Sequence, residues 1–186
     1  MDVGLKTEFE VGDGITLRAW REEDVQIALE AVKRNSDHLG TFMRWMTPEY
    51  DLAAAQKFIA EAIINRLQRT KLQLGIFYGP ELVGSIGYVY LDFDAKKTEI
   101  GYWIGRDAEG KGIITCACRV LIDYAFDELG MNRVEIRCST KNIRSAAVPE
   151  RLGFTKEGVL RQAEPLKDGL HDFNIYGLLA QDPRPD

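Results

Sequence analysis

The stretch from Thr98 to Thr115 constrains this chain more than any other. Thr98–Ile104 reads as a strand. Gly105-Arg106-Asp107-Ala108-Glu109-Gly110-Lys111-Gly112 reads as a glycine turn. After it Ile113, Ile114, Ala117, Leu121, Tyr124 and Ala125 recur at helical spacing until Gly130 ends the pattern. Backbone N–H groups at such a helix start have no intrahelical partners and carry the positive end of the dipole. Glycine lets a bulky anion approach the backbone. The segment therefore suits a phosphate or pyrophosphate.

Two nucleotide motifs share that outline, and each departs at one position. Gly105-(x4)-Gly110-Lys111 follows a P-loop until its last residue, where Gly112 replaces the Mg²⁺-binding hydroxyl. Gly110-Lys111-Gly112 would begin a dinucleotide fingerprint, but its third glycine is Thr115, and the unit follows antiparallel strands. An ordinary glycine turn before a helix needs neither motif.

Around this segment the chain alternates between the two periods. Gly12-Asp13-Gly14 is a turn followed by a short strand, Ile15–Arg18. Glu22-Glu23-Asp24 opens a helix to about Lys33, acids first. Asp51 caps a helix with Ala54, Phe58, Ile59, Ala62 and Ile63 on one face, and the aromatic and Met-rich stretch from His38 to Pro48 lies between the two. Gln73–Tyr78 and Glu81–Leu91 flank the turn Gly79-Pro80. Arg133–Cys138 alternates as a strand, a short helix runs from near Asn142 to Gly153, and Thr155–Pro165 and Leu170–Leu179 flank the hairpin signal Asp168-Gly169. Pro183 and Pro185 mark a frayed tail. The expected fold class is α/β (α+β): one domain over residues 1–186, ordered from about 10 to 180, with a mixed, mostly antiparallel central sheet flanked by helices.

Charge narrows the partners. With 24 Lys and Arg against 29 Asp and Glu, the net charge of −5 argues against nucleic acid as the main partner. No apolar run approaches the ~20 residues of a membrane span, and no secretory h-region is present. Three cysteines, Cys116, Cys118 and Cys138, suit a reducing cytoplasm better than a disulfide framework. Cys116 and Cys118 stand about 200° apart on their helix and read as small buried hydrophobes. His38 and His171 form no local metal motif and read as surface or loop residues, so no metal is expected.

Glu-Ile-Gly-Tyr-Trp-Ile, then Glu-Gly-Lys-Gly-Ile-Ile-Thr, then Asn-x-x-Ser and Arg-Leu-Gly-Phe resemble the GNAT acetyltransferases, and among them the RimL/RimJ branch, which acetylates the N-termini of ribosomal proteins. Within that branch the chain looks most like the YdaF-type ribosomal-protein serine acetyltransferases. The resemblance spans about Ile15 to Leu179 and is strongest from Glu99 to Phe154. The family's loop pattern is Gln/Arg-x-x-Gly-x-Gly/Ala. Here Glu109 and Ile114 depart from it, and a carboxylate at 109 repels a pyrophosphate unless it turns to solvent.

The resemblance implies acetyl-CoA as co-substrate. The main chain of Trp103 and Ile104 would pair with the pantetheine arm, and Glu109, Gly110, Lys111, Gly112, Ile113, Ile114 and Thr115 would surround the pyrophosphate. Asn142 and Ser145 face one side of their helix start. Asn142 is both a candidate coenzyme contact and a candidate N-cap. Ser145 matches the serine proposed to protonate the departing thiolate. Pro149 cannot donate to the Ser145 carbonyl, so a helix break is expected there. Glu164 matches the proposed general base, with Glu99 its rival. His38, Trp45, Met46 and Tyr176 are candidates for the acceptor site. The acceptor is then a protein N-terminus or a small amine, with a homodimer or higher homo-oligomer open. A coenzyme A sensor without turnover is the reading from another class.

Overall fold

The computed structural model describes residues 4–184, so Pro185 lies outside the described residues. Period-two segments form eight strands among them: β1 (Glu8–Gly12), β2 (Ile15–Ala19), β3 (Leu72–Tyr78), β4 (Glu81–Asp92), β5 (Lys97–Ile104), β6 (Arg133–Ser139), β7 (Thr155–Leu166) and β8 (Gly169–Leu179). They make one sheet in the order β1-β2-β3-β4-β5-β6-β8-β7. Every pairing is antiparallel except β5 with β6. The mixed, mostly antiparallel sheet read from the sequence is thus the observed one. It is not the parallel sheet of a dinucleotide fold.

Strand β1 is an addition. Glu8-Phe9-Glu10-Val11 alternates, and Gly12 pairs with Ile15 around Asp13-Gly14. Both loop residues have positive φ (52° and 76°), as a two-residue hairpin turn of this kind requires.

Five helices join the strands: α1 (Val25–Arg34), α2 (Ser36–Leu39), α3 (Leu52–Leu67), α4 (Ile113–Asp123) and α5 (Ile143–Arg151). Asp51 caps α3 as expected, its Oδ1 accepting the Ala54 N–H at 2.9 Å. Helices α1 and α3 cover one face through Ala28, Ala31, Ile59 and Ala62, joined by Trp20 and Leu82. Helices α4 and α5 cover the other through Ala117, Cys118, Leu121, Val148 and Leu152. Strand β5 serves both layers: Ile100, Tyr102 and Ile104 pack toward α4, and Trp103 toward α1 and α3. At the end of α4 the backbone widens to i→i+5 pairing, with Leu129 N–H on the Tyr124 carbonyl at 3.0 Å. The Tyr88 hydroxyl donates to the Leu121 carbonyl there, an inserted side-chain donor of the kind that widens helices.

The sheet centre is tightly spaced. A Cβ on Gly87 of β4 would lie 2.0 Å from the Leu72 carbonyl oxygen and 2.8 Å from Gln73 Cα, backbone atoms that cannot swing aside. Gly87→Ala should therefore lower the urea midpoint, by the ~1–3 kcal/mol of an overpacked core or more, with near-native secondary structure before the transition. Denaturation followed by circular dichroism measures it.

Candidate active site

The loop after β5 is held at its root by a residue from another element. Asn35, at the end of α1, is buried; its Nδ2 donates to the Ala31 carbonyl and its Oδ1 accepts the Arg106 N–H, both at 2.9 Å. Gly105 N–H donates to the Val83 carbonyl at 2.7 Å. Beyond that anchor Gly110 and Gly112 take positive φ (74° and 76°), and a Cβ on either would meet nothing within 4 Å. No side chain caps α4. The helix start thus presents backbone donors to open space, which is what an anionic group needs. The side chains of Ile113 and Ile114 are buried in the core, so these residues can offer a ligand only their backbone.

Glu109 does not turn to solvent. Its side chain is 19% exposed and lies between the Arg144 guanidinium of α5, which donates to Oε2, and the His38 ring, whose Nε2 is 3.5 Å from Oε1. The carboxylate expected to repel a pyrophosphate is neutralised in place, and the Arg144 bridge ties the loop to α5.

Between loop and α5 the sheet opens. Strands β5 and β6 pair only at Lys97–Arg133, Thr98–Val134 and Glu99–Glu135. From Ile100 and Ile136 onward no pairing joins them among the described residues. The β5 edge at Trp103 and Ile104 is therefore free on this side, although both residues pair with β4 on the other. An extended chain can add to such an edge.

Helix α5 lines the slot. Asn142 is its N-cap, with Oδ1 accepting the Ser145 N–H at 3.1 Å. The expected break at Pro149 is absent, and α5 runs on to Arg151. The Ser145 carbonyl, denied an amide by Pro149, instead accepts the Tyr102 hydroxyl at 3.1 Å. The Tyr102 oxygen also lies 3.1 Å from Ser145 Oγ. Burial pushes the Tyr102 phenol well above its ordinary value, so it remains a donor. Burial likewise raises the Cys138 thiol, against hydrogen bonds to Ser145 and Asn174. Asn174 Oδ1 is buried without a partner among the described residues, leaving an acceptor beside Cys138 for an incoming donor.

The opposite face carries carboxylates. Glu99 Oε2 lies 3.4 Å from Arg137 Nε, and Arg137 also binds Glu135 at 2.7 Å. Burial raises the Glu99 carboxyl above its ordinary value; Arg137 opposes this, while Glu135 and Glu164 add to it. Glu164 is half-buried on β7 and pairs in register with His171 of β8. His171 is not the surface or loop residue expected from the sequence. It is 2% exposed, with Nδ1 2.7 Å from Ser139 Oγ and Nε2 on Asp168, and it fixes the hairpin tip next to Glu164. No cluster suited to a metal ion occurs among the described residues.

The four residues expected at the acceptor site separate. Trp45 is 42% exposed and lines a cleft of about 360 Å³ with Trp20, Tyr50, Phe58 and Trp103. His38 lies at Glu109 instead, and Met46 does not line the cleft. Tyr176 is 1% exposed, beneath α5, with its hydroxyl on Glu150 at 2.9 Å, and has no surface to offer an acceptor.

An uncapped helix start, a parted sheet and a serine at the parting coincide with a family match. The model for the acetyltransferase (GNAT) domain matches residues 15–155. The chain is a GNAT acetyltransferase. It is 38% identical over 177 residues to the YdaF protein of Bacillus subtilis (strain 168), covering 92% of this chain and 94% of that one. Among solved structures it is similar to RimL, the ribosomal L7/L12 alpha-N-protein acetyltransferase in complex with coenzyme A (TM-score 0.88, 27% identity, 92% and 97% of the two chains). It is similar also to the microcin C7 self immunity acetyltransferase MccE in complex with acetyl-CoA and AMP (TM-score 0.88, 30% identity, 94% and 97%). As a GNAT enzyme it uses acetyl-CoA.

Four residues of this site were not singled out in the sequence. Tyr102 stood inside a strand pattern, Cys138 in another, and nothing local linked Arg144 to Glu109, 35 positions away. Asn35 carried a signal, a polar residue directly after a helix end. Glu109→Gln removes one negative charge from the loop and releases Arg144. It should tighten acetyl-CoA binding several-fold in titration calorimetry, whereas Arg144→Ala, which leaves Glu109 without that partner, should weaken it.

Proposed function

We propose that this GNAT acetyltransferase transfers the acetyl group directly to the N-terminal α-amine of a protein, with a ribosomal protein as the acceptor class. The supporting observation is the placement of Glu99 and Glu164 on one face of the slot and the Ser145 hydroxyl on the other. The name of RimL, and the name ribosomal-protein-serine acetyltransferase of an Escherichia coli (strain K12) relative 29% identical over 166 residues, support the acceptor class. Three free cysteines fit an acceptor inside the cell. No helix among the described residues is long and apolar enough to cross a membrane.

In this reading the amides of residues 110–115 hold the pyrophosphate, with Lys111 beside them. The free edge at Trp103 and Ile104 takes the pantetheine arm, and Asn142 sets the start of α5. The amine loses a proton to Glu164 through water, with Glu99 as the second carboxylate. The neutral nitrogen attacks the thioester carbon, the C–S bond breaks, and Ser145 gives its proton to the thiolate. The nitrogen sheds its second proton to water as the amide forms, water returns a proton to Ser145, and the Tyr102 hydroxyl keeps its own proton and holds the Ser145 carbonyl. Positioning supplies much of the rest.

A second reading, a small-molecule amine as acceptor, has one observation in its favour: the aromatic cleft beside Trp103. A coenzyme A sensor without turnover would draw support from an unpaired carboxylate at 109, and Glu109 is paired with Arg144 and lies beside His38. Mass spectrometry of bacterial lysate treated with the protein and acetyl-CoA should reveal newly blocked protein N-termini. Modification confined to small amines, or none, would count against the proposal.

Glu164→Gln should lower kcat/KM by about 10²-fold or more, the range of a lost general base, with acetyl-CoA affinity kept. A normal rate in that variant and a comparable loss in Glu99→Gln would give the base role to Glu99. Activity should rise with pH as the buried Glu99 carboxyl loses its proton, with that limb of the profile above the ordinary glutamate value of 4.5. Glu99→Gln, which removes the carboxyl that burial raises, should abolish that limb of the pH profile of kcat/KM.

A further inference from the structure

The cleft beside Trp103 is unlike a site for a polar or highly charged acceptor. Its walls are Trp20, Phe58 and Trp103 from the protein body, with Trp45 and Tyr50 closing one side. The rings brace one another: Trp20 meets Phe58 edge-on, centroids 5.7 Å apart, and Trp45 leans on Tyr50 at 5.8 Å. The charged groups among its lining are Lys57 and Glu61, whose ammonium and carboxylate lie 3.9 Å apart and offset each other. A polycation finds no surplus of negative charge there, and a serine side chain finds no buried polar pair. Flat rings gain most from such walls, through burial and offset or edge-on stacking. The volume, about 360 Å³, is at the lower end for small-molecule sites and admits a one- or two-ring group with its linker. The wall also holds an unused donor, since the Trp20 indole N–H is buried with no partner among the described residues. That favours a ring bearing an acceptor atom over a saturated chain.

The cleft also communicates with the reacting end. Side chains at 99, 101 and 103 share one face of β5, so Glu99 and Trp103 look the same way with Gly101 between them. Gly101 places no side chain on that path; its nearest neighbour is a Val89 methyl 3.0 Å from where a Cβ would stand. We infer that the cleft is the specificity pocket for the acceptor, and that it takes a planar aromatic group joined to the reacting amine. This rests on the N-acetyltransferase activity argued above and deepens it. The aromatic group can belong to an N-terminal residue or to a small aromatic amine, and the experiment has an arm for each.

Thiol release from acetyl-CoA is followed with pentapeptides that differ only in an N-terminal Trp, Tyr or Ser, and with tryptamine and spermidine. The expected result is a kcat/KM at least tenfold higher for the aromatic peptides, or for tryptamine, than for the Ser peptide and spermidine. Peptide and tryptamine arms tell a protein acceptor from a small one. Trp45→Ala, which opens the exposed wall, and Ala54→Leu, which fills the cleft, should each cut the aromatic preference to less than twofold while acetyl-CoA still binds with wild-type affinity. Preference for the Ser peptide or spermidine, or an aromatic preference untouched by both variants, overturns the inference. If acetyl-CoA binds and no amine is consumed, the catalytic reading fails instead. Calorimetry with tryptamine on the coenzyme-loaded protein then decides the cleft by itself: binding that Ala54→Leu abolishes sustains it, and no binding overturns it.

Discussion

Among the described residues strands β5 and β6 are the only parallel neighbours in the sheet, and they part company after three residue pairs. Backbone groups inside a sheet rarely go unpaired, because each buried orphan costs about 1–3 kcal/mol. Something must hold the strands apart, and the structure supplies it at both ends of the gap. At the closed end Arg137 of β6 joins Glu99 of β5 across the last pair. Further along, the Tyr102 ring projects from β5 to α5, where its hydroxyl takes the carbonyl that Pro149 leaves vacant. Proline in α5 is thus what gives Tyr102 its partner, and that partner places Ser145 at the gap.

Charge follows the same geometry. The face toward α1 and α3 collects Glu99, Glu135 and Glu164, with arginines binding two of the three. The loop side must instead receive an anion, and there Glu109 is held by Arg144 and His38. A pyrophosphate approaching the start of α4 meets the helix amides and a cation that already has an internal competitor. In the proposed mode of binding, affinity for the coenzyme then depends on an exchange of partners at Arg144 as well as on the amides.

The sequence carried what depends on local pattern. Strand alternation, the Asp51 cap, the glycine turn before α4 and the last hairpin are consequences of near neighbours, and each is present, the hairpin loop one residue earlier than expected at Lys167-Asp168. Strand β1 was missed: Phe9 and Val11 alternate, but the strand is only five residues long. What escaped depends on distant partners. His171 looked like a loop residue because its burial is created by Ser139 and Phe42, from other parts of the chain. The same holds for Pro149: a break was the sound local expectation, and a tyrosine 47 positions earlier on β5 removed the need for it. The aromatic cleft combines Trp20 just after β2, α1, α3, the segment before α3 and one residue of β5, a set with no common spacing.

The central claim is that the parted β5 edge and the amides opening α4 together grip acetyl-CoA. Hydrogen–deuterium exchange of the free and the acetyl-CoA-loaded protein, read by mass spectrometry over 100–104 and 110–116, tests it most directly. Both segments should exchange more slowly once the thioester is bound, with the edge strand β7 unchanged. Slowing confined to other parts of the chain, or equal exchange in both states at saturating acetyl-CoA, would contradict it.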